Sequence, residues 1–172
     1  MARTDWQGVW TALVTTFQES GALDEAAFVR LVDRQISAGV TGLVPCGTTG
    51  ETPALDGAEW ERVVTLTIER AAGRVKVVPG TGSNNTPLTI ARTRRARELG
   101  ADAAMVVKPY YNKPNPAGLL AHYRAVASEG GLPVLVYNVP SRTGLNLTPE
   151  VLAPIAELDG VVALKEASGS MS

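Results

Sequence analysis

The most constraining feature of the sequence is a regular alternation between short apolar runs and longer stretches with helical spacing. The runs are rich in β-branched residues, and four of the six end at glycine or proline, which indicates strands. In chain order they are "GVWTALVTTF", "TGLVPCG", "VKVVPGTG", "ADAAMVVKP", "LPVLVYNVP" and "VVALKEAS". A repeat of about 30 residues per unit, with strands that are apolar on both faces, predicts βα units around a parallel sheet.

Capping residues predict where the intervening helices begin and end. Asp24, Thr86 and Thr148 are the predicted N-caps, Gly39 lies just past the end of the first helix, and Pro149 occupies the first position of the last one. The predicted helices cover about residues 24–38, 58–72, 86–100 and 116–128, with a further helix that opens at residue 148.

Two architectures fit six βα units: a (β/α)₈ barrel and a doubly wound open sheet. Polar motifs follow nearly every strand, namely "TTF", "CGTTGE", "GTGSNN", "KPYYNKP", "YNVPSRTG" and "KEASG". A barrel gathers all of its strand ends around one mouth, where barrel active sites lie, whereas a doubly wound sheet concentrates its ligand groups at one switch point. The pattern therefore favours the α/β class with a TIM barrel.

The length of the chain limits how much of a barrel it can supply. Eight units need roughly 200 to 250 residues, and these 172 residues supply six strands. We therefore expect residues 1–172 to form a partial TIM-barrel catalytic domain, the N-terminal six units of a longer protein that lacks here the last two strands and the C-terminal helical region. The alternative is a complete six-stranded open sheet.

Composition excludes several classes of function. Sixteen basic and seventeen acidic residues nearly cancel, which argues against nucleic acid or a membrane surface as a partner. The apolar runs are too short for a membrane span, and the N-terminus lacks the apolar core of a signal peptide, so we expect a cytoplasmic protein. With only His122 and Cys46 to offer, one chain cannot build a site of three His or Cys ligands, although an oxygen-ligand Mg²⁺ site stays open. We expect His122 on the surface of its helix and Cys46 as a small packed side chain.

Lys165 is the first candidate catalytic residue. It alternates with Val161 and Ala163 in "VVALKE", so the three side chains share one face of a strand. Poor solvation above small side chains would lower the pKa of the lysine, and a neutral amine is the nucleophile that forms a Schiff base with a carbonyl. The alternative is a strand-end lysine that extends to water.

Other strand ends carry groups suited to an anionic substrate. "CGTTGE" offers two hydroxyls and small glycines that suit a carboxylate, or else forms an ordinary strand-to-helix turn. Tyr137 shares a face with Leu135 and Val139 and is predicted to point inward, where its hydroxyl could pass a proton. Arg142 lies just past that strand, and its planar fork suits a carboxylate, or it is an exposed loop charge.

Five motifs together resemble one family. "GTTGE", "GTGSNNT", "PYYNKP", "YNVPSRTG" and "LKEASG", in this order and over essentially the whole chain, are similar to the 4-hydroxy-tetrahydrodipicolinate synthase (dihydrodipicolinate synthase) family of pyruvate-dependent class I aldolases and lyases, which includes N-acetylneuraminate lyase. The resemblance implies condensation of pyruvate with L-aspartate 4-semialdehyde, in lysine and diaminopimelate synthesis. The implied residues are Lys165 for the Schiff base, Tyr137, Thr48 and Tyr111 for a proton relay, Thr49 for the pyruvate carboxylate and Arg142 for the semialdehyde carboxylate.

The resemblance also implies how the enzyme is assembled and regulated. It implies a homotetramer built as a dimer of dimers, no metal or organic cofactor, and a Tyr111 that a neighbouring subunit supplies. Many bacterial members are inhibited by lysine at a dimer interface, and there Gly57, Trp60 and Leu88 replace the family's polar residues while Asn84 and Tyr110 match. We therefore predict weak or absent lysine feedback. The alternatives are a sibling aldolase or lyase acting on a sugar acid, and a truncated, non-catalytic fragment.

Overall fold

A computed structural model describes residues 6–170, so the predicted domain limits at residues 1–5 and 171–172 lie outside the described residues. The chain divides into two compact units, Met1–Val78 and Pro79–Ser172. The elements of the first are β1 (Trp10–Ala12), α1 (Glu25–Ser37), β2 (Gly42–Val44), a short 3₁₀ helix (Thr52–Ala54), α2 (Gly57–Ala71) and β3 (Lys76–Val77). Those of the second are α3 (Thr86–Leu99), β4 (Ala104–Val107), α4 (Pro116–Glu129), β5 (Val134–Asn138), α5 (Pro140–Thr143), α6 (Pro149–Ala156) and β6 (Val161–Glu166).

The first unit is a parallel sheet in the order β1-β2-β3, with α1 and α2 packed on one another. Asp24 caps α1 as predicted, because its carboxylate accepts a hydrogen bond of 2.8 Å from the Ala27 amide. The first strand is shorter than the predicted run, since only residues 10–12 join the ladder. Farther along, the Thr15 hydroxyl donates to the Gly50 carbonyl at 2.7 Å.

The second unit is a parallel sheet in the order β4-β5-β6. β4 and β5 are apolar and largely buried on both faces, as a helix-covered parallel sheet requires. The predicted cap of α3 is wrong by one residue, because the Asn85 side chain accepts from the Leu88 amide at 2.9 Å. Thr86 lies inside the helix, and its hydroxyl bonds the His122 ring instead. Thr148 and Pro149 occupy the positions predicted for them at the start of α6.

The prediction that His122 lies on the surface is wrong. The side chain is 4% exposed, and its Nδ1 lies 2.8 Å from the Thr86 hydroxyl of α3. Leu119, Tyr123 and Val126 are buried on the same face of α4, which packs on α3 and carries His122 into the contact. Burial lowers the pKa of the imidazole to about 4, so it is neutral at pH 7. Cys46 is buried, as predicted.

The outer face of β6 differs from the predicted two-sided burial. Val162 is 43% exposed and Leu164 is 40% exposed. α6 is only eight residues long and contains Pro154. An open groove of about 190 Å³ therefore remains between that helix and the strand, lined also by Leu152 and Ala156.

Candidate active site

Lys165 and Tyr137 lie side by side at the carboxyl ends of β6 and β5. They are directly paired across the two parallel strands, and the Lys165 Nζ atom lies 4.3 Å from the centre of the Tyr137 ring. Tyr137 is 6% exposed, which confirms its predicted inward direction, and Lys165 is half-buried. The sheet thus brings together the two residues that the sequence singled out first.

The environment of this pair favours the neutral form of the amine. Burial lowers the pKa of Lys165 below that of an ordinary lysine. The face of the Tyr137 ring attracts an ammonium group and acts against this shift without supplying a counter-charge. No carboxylate is among the causes of the shift, so a neutral, nucleophilic amine is accessible at lower pH than for a surface lysine.

A second row of polar residues lies on the opposite face of the same sheet, one position farther along. Asn138 of β5 is directly paired with Glu166 of β6, and its amide nitrogen donates to the Glu166 carboxylate at 2.9 Å. Lys108, the residue after β4, is 0% exposed and donates from Nζ to the Asn138 Oδ1 atom at 2.5 Å. Burial lowers the pKa of Lys108 to about 8, although the charge of Glu166 acts in the opposite direction.

Sequence reasoning missed this second row. The signal was present, because "MVVKP" ends an apolar strand with a lysine in the same way as "VALKE" does. The prediction treated "KPYYNKP" only for its tyrosines, and a single sequence gives no indication that Lys108 and Glu166 would share Asn138.

Arg142 lies in the short helix α5, directly after β5. Its side chain is exposed, and the helix ends at Gly144, whose φ of +70° is a left-handed conformation that glycine adopts without strain. The Thr143 hydroxyl donates to the Val139 carbonyl at 3.0 Å and so holds the turn to the strand end. Arg142 therefore stands on a fixed turn in the same unit as Lys165, with its guanidinium directed to solvent.

Tyr111 does not pack against the Lys165–Tyr137 pair. Its side chain is 88% exposed, and its φ of +70° is uncommon for a residue with a Cβ atom. The following residues fix this bend, because the Asn112 amide bonds the Tyr110 carbonyl at 2.8 Å and its side chain donates to the Asn84 carbonyl at 3.1 Å. The ring is thus held outward, on a backbone conformation that is strained for a residue with a Cβ atom.

Thr48 and Thr49 belong to the other compact unit, in the turn that follows β2. Both are exposed, and the turn beneath them is tightly bonded: the Gly50 amide donates to the Gly47 carbonyl at 3.1 Å, and the Glu51 amide to the Thr48 carbonyl at 3.1 Å. The Thr52 hydroxyl also bonds the carbonyls of Cys46 and Gly47. The loop thus presents two exposed hydroxyls on a hydrogen-bonded backbone.

The described residues contain neither a candidate metal site nor a candidate membrane-spanning helix. Within residues 6–170, no group of three or more His, Cys, Asp or Glu side chains could hold a metal ion. Over the same residues, no helix is long and apolar enough to cross a membrane.

Comparison with known proteins decides the family. The sequence profile described as the dihydrodipicolinate synthetase family matches residues 5–172. The chain belongs to the dihydrodipicolinate synthetase family. Among curated members of this family's synthases, it is 54% identical to 4-hydroxy-tetrahydrodipicolinate synthase of Thermomicrobium roseum, over 96% of this chain and 54% of that protein. It is 53% identical to the synthase of Hyphomonas neptunium, over 96% of this chain and 56% of that protein.

Solved structures of dihydrodipicolinate synthases establish the fold of this family member. The synthase of Aquifex aeolicus superposes with a TM-score of 0.92 at 42% identity, over 96% of this chain and 57% of that one. The synthase of Acinetobacter baumannii, solved in complex with pyruvate, gives 0.93 at 40% identity, over 95% and 56%. The chain therefore has the fold of the first six βα units of a TIM barrel, and it spans little more than half the length of the relatives it matches.

Proposed function

We propose that this chain carries the Schiff-base site of a 4-hydroxy-tetrahydrodipicolinate synthase, which condenses pyruvate with L-aspartate 4-semialdehyde. The observation that carries the proposal is the Lys165–Tyr137 pair. A half-buried amine with a lowered pKa stands 4.3 Å from the centre of a buried tyrosine ring, at the carboxyl end of a barrel strand. Active sites of TIM barrels lie at that end of the strands.

In the proposed mechanism, the neutral Lys165 amine attacks the pyruvate carbonyl, and loss of water gives an iminium. The iminium withdraws electrons from the neighbouring methyl group, which loses a proton and leaves an enamine. The enamine carbon then attacks the aldehyde carbon of the semialdehyde, and the new alkoxide takes up a proton. Each of these steps moves a proton, and the Tyr137 hydroxyl, carried by the ring that lies against the Lys165 nitrogen, is the proposed proton carrier.

We propose Thr48 and Tyr111 as the partners of Tyr137 in a proton relay. Thr48 is supported by its exposure on a rigid turn, and Tyr111 by its outward, strained conformation. An 88% exposed tyrosine suits a residue whose surroundings a second copy of the chain provides. The proposal therefore includes a homo-oligomer, in the form of a dimer of dimers, for the protein that contains this chain.

Thr49 and Arg142 are the proposed substrate-binding residues. Thr49 offers a hydroxyl to the pyruvate carboxylate, and the guanidinium of Arg142 receives the carboxylate of the semialdehyde in a bidentate contact. The exposure of Arg142 on a fixed turn supports a position at the entrance of the site. The proposed reaction takes place on the Lys165 amine and involves no metal or organic cofactor. A cytoplasmic location stays a prediction.

A condensation assay tests the proposed reaction. Pyruvate is supplied with L-aspartate 4-semialdehyde in one arm and with sugar aldehydes in the other, with Lys165→Arg as the inactive control. The proposal expects a product only in the first arm, because Arg142 recognises a carboxylate. Turnover of the sugar aldehydes alone would identify a sibling lyase instead.

A further inference from the structure

Asn138 is the centre of a fully bonded group. Its Oδ1 atom accepts from Lys108 Nζ at 2.5 Å and from the Leu147 amide at 3.2 Å, and its Nδ2 atom donates to Asn146 Oδ1 and to Glu166 Oε2, each at 2.9 Å. An asparagine side chain can make four such bonds, and Asn138 makes all of them while 1% exposed. It thereby ties the end of β4, the end of β6 and the segment after Arg142 to one residue.

The pairing of β5 with β6 contains a register shift that matters for the site. Val134 pairs with Val161, yet Leu135 pairs with Ala163, so β6 carries one extra residue at this point. Unshifted pairing from Val134 would place Tyr137 opposite Leu164. The shifted register places Lys165 opposite Tyr137, and it also places Glu166 opposite Asn138.

A shifted register needs interactions that favour it over the regular one. A slip of one residue sends each side chain of a strand to the other face, and it would bring Lys165 opposite Asn138. The hydrogen bond from Asn138 to Glu166 favours the shifted register, because regular pairing would place Lys165, and not Glu166, opposite Asn138. Bulges of this kind are common beside active sites, where they redirect a side chain.

The burial of Lys108 costs more folding free energy than a single hydrogen bond to Asn138 returns. Lys108 is completely buried, and within residues 6–170 its amine, which has three donors, bonds Asn138 alone. Burial of an ammonium group costs free energy, and a hydrogen bond to the neutral Asn138 amide offsets only part of that cost, so stability alone does not explain this lysine. The Asn138 oxygen accepts from Lys108, and the nitrogen of the same side chain donates to Glu166.

We propose that Lys108, Asn138 and Glu166 form a register lock, a group of positioning residues on the far face of the sheet that holds Lys165 against the Tyr137 ring. The inference deepens the proposed function, because it concerns the placement of the amine on which that function rests. Lys108 helps the Leu147 amide to fix the orientation of the Asn138 side chain, and Asn138 then selects Glu166 as its cross-strand partner. Lys165, the neighbour of Glu166, is thereby held on the opposite face.

Lysine-selective NMR of the free protein tests the lock without any substrate. The chain has only four lysines, Lys76, Lys108, Lys113 and Lys165, so the ε-methylene signals are few and each is assigned by a single substitution. The ring current of Tyr137 shifts the Lys165 ε-protons upfield in the wild-type protein, and Tyr137→Leu abolishes that shift. The test variants are Lys108→Met and the uncharged change Asn138→Leu, with Lys113→Met as the matched control at an exposed lysine.

The lock predicts that Lys108→Met folds with an unchanged or higher melting temperature while the Lys165 ε-protons lose most of their upfield shift. Asn138→Leu gives the same loss without a change of charge, and Lys113→Met leaves the signal in place. A Lys165 signal that stays upfield in folded Lys108→Met overturns the proposal. An unfolded Lys108→Met also overturns it, because the lysine would then serve stability. Failure of the chain to react with pyruvate would contradict the proposed function and leave this result standing.

Discussion

Tyr137 of β5 stands directly opposite Lys165 of β6, with the lysine nitrogen 4.3 Å from the centre of the tyrosine ring. The contact places a buried phenol hydroxyl and a half-buried amine on the same face of the sheet. Because burial lowers the pKa of that amine, the tyrosine neighbours a group that can act as a nucleophile. The predictions below follow from this pair and from the residues around it.

Tyr137→Phe separates the role of the ring from that of the hydroxyl. The phenylalanine ring still covers Lys165, so formation of the pyruvate adduct is expected to persist. Loss of the hydroxyl removes the proposed proton donor and lowers the condensation rate by about 10²- to 10⁴-fold. Steady-state rates with both substrates, together with adduct yield by mass spectrometry, measure the two effects. Equal loss of adduct and of rate would mean that the hydroxyl already serves adduct formation, and an unchanged condensation rate would mean that Tyr137 acts through packing alone.

Arg142→Gln is expected to weaken binding of the semialdehyde and to leave the pyruvate adduct intact. A charge-assisted hydrogen bond contributes about 1.5–3 kcal/mol, so the KM for the semialdehyde should rise by roughly 10- to 100-fold. Arg124→Gln, at an exposed position of α4, is the control and should change neither value. An unchanged KM in Arg142→Gln would remove Arg142 from the site.

Burial of His122 is expected to lower the free energy of unfolding at acid pH. Its folded pKa of about 4 lies below the ordinary value of 6.5, so the unfolded chain binds the proton more tightly between these values. Stability is therefore complete above about pH 6.5 and falls as the pH drops towards 4, by about 3 kcal/mol for the full shift. Urea titrations at pH 7 and pH 5 measure this loss. The His122→Gln variant should lose less stability between the two pH values, and an identical loss would show that other groups cause it.

Lysine is expected to have little or no effect on the proposed condensation by the full-length protein. Gly57 offers no side chain, Trp60 is 2% exposed, and Leu88 presents an apolar surface that is 43% exposed. None of these gives an ammonium or a carboxylate the partner that a binding site needs. Condensation rates of the full-length protein across a lysine titration provide the measurement. Inhibition at submillimolar lysine would contradict the prediction.

Much of the fold was predictable because local signals agreed with one another. Strands with β-branched residues, capping by Asp24 and the glycine after α1 all indicated βα units, and the structure has them. The burial of His122 was also readable, since it lies at helical spacing from Leu119 and Val126. The prediction failed there because it weighed the residue type above its position on the helix.

The candidate site was predictable only in part. The alternation of Lys165 with Val161 and of Tyr137 with Leu135 indicated which face each residue occupies. The register that sets them opposite one another depends on an extra residue in β6, and no local signal in "VVALKE" marks it. Lys108 was missed for a related reason, because its partner Asn138 is thirty residues away in the chain.

The most direct test of the central claim is to trap pyruvate on Lys165. The chain is incubated with pyruvate and borohydride, which reduces an iminium to a stable secondary amine, and the product is digested and analysed by mass spectrometry. The account predicts one reduced pyruvate adduct on Lys165, none on the exposed Lys113, and none in the Lys165→Arg variant. Wild-type protein that gains no mass at Lys165 would contradict the proposed Schiff-base chemistry of this chain and favour a non-catalytic fragment.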